Sequence, residues 1–74
     1  MATRVEAQVA GTVWKIETRE GQELASGEVI MILESMKMEI PVEAPCAGRV
    51  SHVLLAAGGR VSAGQALVVL EAAE

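Results

Sequence analysis

The second half of this chain repeats the first. When the sequence is shifted along itself by 37 residues, half of its 74-residue length, eleven positions match without a gap. Most of the matches are apolar residues or glycines: Met1/Met38, Val5/Val42, Glu6/Glu43, Ala7/Ala44, Ala10/Ala47, Gly11/Gly48, Val13/Val50, Gly21/Gly58, Gly27/Gly64, Leu33/Leu70 and Glu34/Glu71. Such a repeat indicates one supersecondary unit that is used twice. We expect a single domain over residues 1–74, with internal repeats 1–37 and 38–74.

Each copy has the pattern of short β-strands. Val5, Ala7 and Val9 alternate with polar residues, which is the period of a half-buried strand. The apolar runs 29–33 and 66–70 suit strands that are more fully buried, and the matched glycines mark turns. Two copies of a four-strand unit bury their apolar faces when two sheets pack together. The expected fold is all-β: a flattened barrel or sandwich of two antiparallel four-stranded sheets with a pseudo-twofold axis. Exchange of strands between the halves would protect the sheet edges.

One irregularity occurs in both copies. Val13 and Ile16 are three residues apart, and so are Val50 and Val53. Strict alternation would turn the two members of each pair to opposite faces of the sheet. The spacing therefore predicts a β-bulge or a bend in each copy.

The pseudo-twofold axis gives the junction between the copies a special position. It relates residues 37 and 38 to residues 74 and 1, so the junction and the chain termini lie at opposite ends of the domain. Lys37 is thus predicted at the tip of an exposed hairpin, remote from both termini.

Composition excludes several classes of function. The chain carries 6 basic and 10 acidic residues, a net charge of −4, and Trp14 is its single aromatic residue. Nucleic-acid binding needs a basic patch and stacking aromatics, so it is not expected. No apolar run approaches the roughly 18 residues of a membrane span, and residues 1–6 do not resemble a secretion signal. We expect neither membrane insertion nor secretion.

The reactive side chains are few. Cys46 is the single cysteine and His52 the single histidine, so neither an intramolecular disulfide nor a Cys/His zinc site can form. Few catalytic constellations can be assembled without Asp or Tyr. Cys46 is expected as a small packing residue and suggests a reducing, cytoplasmic location. Trp14 is expected as a packing anchor, with an exposed partner contact as the alternative, and His52 as a surface residue.

The junction carries a motif, Glu34-Ser35-Met36-Lys37-Met38-Glu39. It resembles the biotin attachment site of biotin-dependent carboxylases, in which Met-Lys-Met is preceded by Ala or Ser. The resemblance extends over nearly the whole chain, through the segments 10–13, 20–21, 26–27, 44–45, 47–48 and 67–71. The chain is similar to the single-domain biotin/lipoyl attachment proteins.

This resemblance implies a biotin carboxyl carrier. Lys37 would carry covalent biotin, and a biotin protein ligase would recognise Met36, Met38, Glu34, Ser35 and Glu39. Solvated strand ends would explain Glu34 and Glu39 equally well, and packing is the alternative for the methionines. A biotin carboxylase would use ATP and bicarbonate to carboxylate the ureido nitrogen, and the arm would carry the carboxyl group to a carboxyltransferase. The domain would be a monomer in isolation and would catalyse nothing itself.

Two alternatives remain on sequence grounds. A lipoyl carrier has the same fold, but lipoyl domains usually carry Asp before the modified lysine, and this chain has Met on both sides. A protein that accepts both groups is a variant of that alternative.

The second alternative is an unmodified interaction module or a carrier domain cut from a larger subunit. Lys15 is the other lysine and lacks the motif, so it is interpreted as a solvated strand residue.

Overall fold

The computed structural model describes residues 2–72. Met1, one member of the Met1/Met38 match, lies outside that range. Eight strands make up the described chain: β1 (Ala2–Glu6), β2 (Gly11–Ile16), β3 (Glu23–Leu24), β4 (Val29–Ser35), β5 (Met38–Glu43), β6 (Gly48–Val53), β7 (Arg60–Val61) and β8 (Ala66–Ala72). Across residues 2–72 there is no helix of the length and apolarity that a membrane crossing requires.

The strands form two antiparallel sheets with the orders β1-β8-β6-β3 and β5-β4-β2-β7. Each sheet takes two strands from each half of the sequence, so the predicted exchange between the halves is confirmed. The predicted all-β fold is confirmed as well, in the form of two sheets that do not close into a continuous barrel. The domain is elongated, 37 × 17 × 17 Å.

Backbone hydrogen bonds follow the sequence repeat. Gly58 N–H donates to the carbonyl of Val13 over 2.7 Å, and its counterpart Gly21 donates to the carbonyl of Val50 over 2.7 Å. Each bond ties a turn of one half to a strand of the other. Gly21 and Gly58 have φ values of 90° and 88°, a left-handed conformation that favours glycine. The matched glycines thus hold the two halves together.

Both predicted bulges are present. On β2, Val13 and Lys15 lie opposite the consecutive residues Leu33 and Ile32 of β4, so Trp14 is the extra residue. On β6 the same shift leaves Ser51 as the extra residue. The bulge turns Trp14 outward, where half of its surface is exposed. The prediction that Trp14 is a packing anchor is wrong for this reason.

The core lies between the two sheets and is aliphatic. Its most completely buried side chains are Ile30, Met31, Leu33, Leu67, Leu70, Val13, Val50 and Val68. Cys46 packs against this core as a partly buried residue, as predicted, and His52 is exposed.

The topology separates the β4–β5 hairpin from the chain termini. The start of β2 pairs with the end of β4 and also with β7, so β7 lies at the hairpin end of the domain. After a short turn, β8 runs for seven residues to Ala72, about 20 Å at strand rise. Ala2 of β1 lies opposite Glu71 near that far end. The described strand ends nearest the termini are therefore remote from Lys37, as predicted.

Candidate functional site

A two-residue turn joins β4 to β5 and contains the motif lysine. Ser35 and Met38 are paired across the two strands, and Met36 and Lys37 form the loop between them. Their φ values are 52° and 66°. Positive φ at both central residues defines a type I′ turn, whose twist matches that of the flanking strands. The turn therefore has the regular hairpin geometry, although its residues are not those that usually favour it.

The side chains of the turn are open to solvent. Met36 is 92% exposed, Met38 is 65% exposed, and Lys37 is exposed between them. Within residues 2–72 no ion pair or side-chain hydrogen bond involves Lys37. The packing alternative for both methionines is thus wrong, because neither is buried. The turn presents a primary amine on a fixed backbone, flanked by two flexible apolar side chains.

The conformation of Met36 is unfavourable for an L-residue with a side chain. Left-handed backbone costs about 1–2 kcal/mol, and Asn tolerates it best after Gly. We expect Met36→Asn to raise the free energy of unfolding by about 0.5–1 kcal/mol, measured by urea denaturation. Met38→Asn, placed in β5, is the matched control and should give no gain. A Met36→Asn variant less stable than the wild type would contradict this account of the turn.

Two acidic residues lie directly behind the turn. Glu34 and Glu39 face each other across β4 and β5, and both are exposed. Like charges opposite each other destabilise a strand pair. Thr12 on β2 is the next residue along this row and is neutral, so it offers no compensation. The base of the hairpin therefore carries a local negative charge beside the lysine.

An open cleft adjoins the turn. It has a volume of about 580 Å³ and is lined by residues of three segments: Ala10, Gly11, Thr12, Glu34, Ser35, Met36, Lys37, Arg60, Val61 and Ser62. The structure thus brings four of the predicted site residues to one cleft: Glu34, Ser35, Met36 and Lys37. Met38 and Glu39 lie across the hairpin from it on β5.

Sequence reasoning missed Thr12, Arg60 and Ser62, which come from segments far from the motif. No sequence signal marks them, because most positions outside the eleven matches also differ between the two copies. Their counterparts 37 residues away are Arg49, Glu23 and Ala25, so none of the three follows the repeat.

The cleft contains a carboxylate but neither histidine nor cysteine. Nothing in it combines a nucleophile with an activating base and an orienting partner. What the site offers is an accessible amine on a β-hairpin turn of defined conformation. That suits covalent modification by another protein, and a long flexible group attached there would project into solvent.

Comparison with known proteins agrees with this geometry. The family model Biotin_lipoyl, described as "Biotin-requiring enzyme", matches residues 9–70. The chain belongs to the biotin/lipoyl domain family. The match confirms the predicted family and the predicted biotin carrier role.

Short relatives of this biotin/lipoyl domain are nearly half identical to it over the residues that align. The "Biotinylated protein TB7.3 homolog" of Mycobacterium leprae is 47% identical over 72% of this chain and 75% of its own length. The "Biotin/lipoyl attachment protein" of Bacillus subtilis is 45% identical over 66% of this chain and 67% of its own.

Longer carboxylases contain a similar domain. A "Putative urea carboxylase" of Emericella nidulans is 45% identical over 73% of this chain, and the chain spans 4% of that protein. Among solved structures, a single-chain, multi-domain long-chain acyl-CoA carboxylase aligns with 99% of the chain, with a TM-score of 0.92 and 34% identity. The biotin/lipoyl domain covers 7% of that carboxylase chain.

Proposed function

We propose that this biotin/lipoyl domain carries biotin covalently on Lys37 and moves carboxyl groups between a biotin carboxylase and a carboxyltransferase. The observation that supports the proposal is the exposed lysine on the type I′ turn of the hairpin, flanked by exposed methionines. When bound, biotin supplies a ureido nitrogen that accepts and releases a carboxyl group. The domain itself is non-catalytic in this proposal and works as a component of a larger carboxylase.

The residues of the hairpin have distinct roles in this proposal. Lys37 supplies the amine that becomes an amide, and it must lose its proton before it attacks an activated biotin. Met36 and Met38 supply adaptable apolar contacts to a biotin protein ligase. Glu34 and Glu39 add a negative charge at the base of the hairpin, and such charge orients an approaching partner with a basic surface. Ser35 closes the turn opposite Met38.

The hairpin turn and the flexible arm divide the work of transport. The hairpin fixes the point of attachment at one end of a domain 37 Å long, remote from the strand ends nearest the termini. The lysine stem and the attached group then search the space around that point. A monomer suffices for this role, because the turn and its cleft are formed by one chain.

The identity of the acyl group is tested by intact mass. Co-expression with a biotin protein ligase is expected to add one biotin to nearly every molecule. Co-expression with a lipoate ligase is expected to leave the mass unchanged, because Met38 follows the lysine and no Asp precedes it. Lipoate is the alternative, since the name of the Bacillus subtilis relative covers both groups. A product that carries lipoate alone would overturn the assignment of biotin.

A further inference from the structure

The cleft beside Lys37 has a counterpart at the opposite end of the domain. That second cleft has a volume of about 340 Å³ and is lined by Glu23, Leu24, Ala47, Gly48, Arg49, Glu71 and Ala72. Each of these residues is the repeat counterpart of a residue that lines the first cleft. The two clefts are thus the same feature of the fold, and their differences show what is special about the lysine end.

The first cleft differs by its hydroxyl groups. Thr12, Ser35 and Ser62 line it, whereas the corresponding positions in the other half are Arg49, Ala72 and Ala25. Within residues 2–72 none of the three hydroxyls makes a side-chain hydrogen bond. A hydroxyl can donate one hydrogen bond and accept two. The cleft therefore offers neutral hydrogen-bonding groups that its counterpart lacks.

Arg60 adds a cation at the far wall of the cleft. It lies opposite Thr12, which in turn lies opposite Glu34, so the three residues share one face of the sheet. Arg60 is exposed and, among residues 2–72, has no ion-pair partner within 4.0 Å. A guanidinium presents several N–H donors in a planar fork. Glu23, its counterpart in the repeat, would repel the same acceptor.

We propose that the ureido head group of the biotin carried on Lys37 docks in this cleft on its own domain. The inference rests on the proposed function, since it needs biotin on Lys37. The ureido carbonyl oxygen accepts hydrogen bonds from the Arg60 guanidinium. The two ureido N–H groups donate to the hydroxyls of Thr12 and Ser62. The cleft volume of about 580 Å³ lies within the range of small-molecule sites.

The arm is long enough for this contact. Arg60 lies on β7, three strand spacings or about 14 Å from β5, and Lys37 lies at the tip of the turn, about two residues or 7 Å beyond the Glu34/Glu39 pair. The backbone separation between Arg60 and Lys37 is therefore about 16 Å. The four-carbon lysine stem and biotin's acyl chain together reach across much of it, and the Arg60 side chain borders the same cleft.

Docking in an open cleft is reversible. Every contact replaces a hydrogen bond to water, so the net gain is small and the arm is free for part of the time. The docked fraction keeps the head group at the domain surface between encounters, and the free fraction is available to partner proteins.

The test uses the whole chain, biotinylated in cells and checked by intact mass. Nuclear Overhauser contacts are measured between the biotin ring protons and the methyl group of Thr12. Arg60→Met removes the guanidinium donors from the far wall and keeps an unbranched stem. Arg49→Met is the matched control, because it removes an exposed arginine from the counterpart cleft. The rate of capture by streptavidin gives a second readout, since capture needs a free arm.

Ring-to-methyl contacts are expected in the wild type and in Arg49→Met and are expected to vanish in Arg60→Met. If the arm is docked about half of the time, Arg60→Met should be captured about twofold faster, in proportion to its free fraction. Biotinylated wild type with amide shifts confined to residues 36–38, no ring-to-methyl contact and unchanged capture would overturn docking alone. A chain that takes up no biotin at all would overturn the proposed function, and this inference with it.

Discussion

Lys37→Arg is expected to abolish biotinylation completely while leaving the domain folded. Arginine keeps the positive charge and a stem of similar length, but its guanidinium stays protonated and does not act as an amine nucleophile. Position 37 has a φ of 66°, which is equally unfavourable for either side chain, so stability should not change. Intact mass after co-expression with a biotin ligase, with a streptavidin blot of the same sample, measures the loss.

Lys15→Arg is the matched control for this substitution. Lys15 is the chain's other lysine; it is exposed on β2, 4.0 Å from the carboxylate of Glu17 and 6.0 Å from the ring centre of Trp14. It lies beside the bulge of β2 with no turn to present it, so its replacement should leave biotin incorporation at the wild-type level. If Lys37→Arg kept its biotin and Lys15→Arg lost it, the attachment site would be Lys15, and our assignment of Lys37 would be wrong.

Much of the fold could be predicted because the repeat supplies information that a single strand pattern lacks. Two copies on one backbone imply an axis, and the axis fixes where the junction lies relative to the termini. The spacing of Val13 and Ile16 predicted the bulge on β2 as well. The direction in which the extra residue points depends on where the bulge falls in the ladder between β2 and β4. That is why the exposure of Trp14 was not predictable.

The site was predictable only where it is local in sequence. The motif identified the residues from Glu34 to Glu39 as a continuous segment. The cleft beside them depends on β7, a strand of two residues that is too short to show a periodic pattern. Its pairing with β2 is what brings Arg60 to the same cleft as Lys37. The type I′ turn was hidden as well, since Met-Lys lacks the Asn and Gly that mark such turns.

Gly11→Ala is expected to cost about 3 kcal/mol in the free energy of unfolding. A Cβ at Gly11 would overlap the backbone carbonyl of Glu34 and lie 3.3 Å from the Cβ of Ser35. Because the obstructing group is backbone, β2 and β4 must move apart, which places the cost at the upper end for overpacking. A 74-residue domain has about 4–11 kcal/mol of stability in total, so the variant should be markedly less stable but still fold. Urea denaturation measures the loss.

Gly48→Ala separates the stability effect from the effect on the site. Its Cβ would lie 2.5 Å from the carbonyl oxygen of Glu71, the counterpart of Glu34 in the repeat, so the loss of stability should be similar. The displacement then occurs at the far end of the domain, whereas in Gly11→Ala it occurs at the base of the hairpin. Well below both unfolding midpoints, ligase-catalysed biotinylation should slow about tenfold or more in Gly11→Ala, since small misplacements of a reacting group are costly, and should stay normal in Gly48→Ala. Equal rates in the two variants would mean that the ligase requires the exposed sequence of the turn but not the position in which β2 holds it.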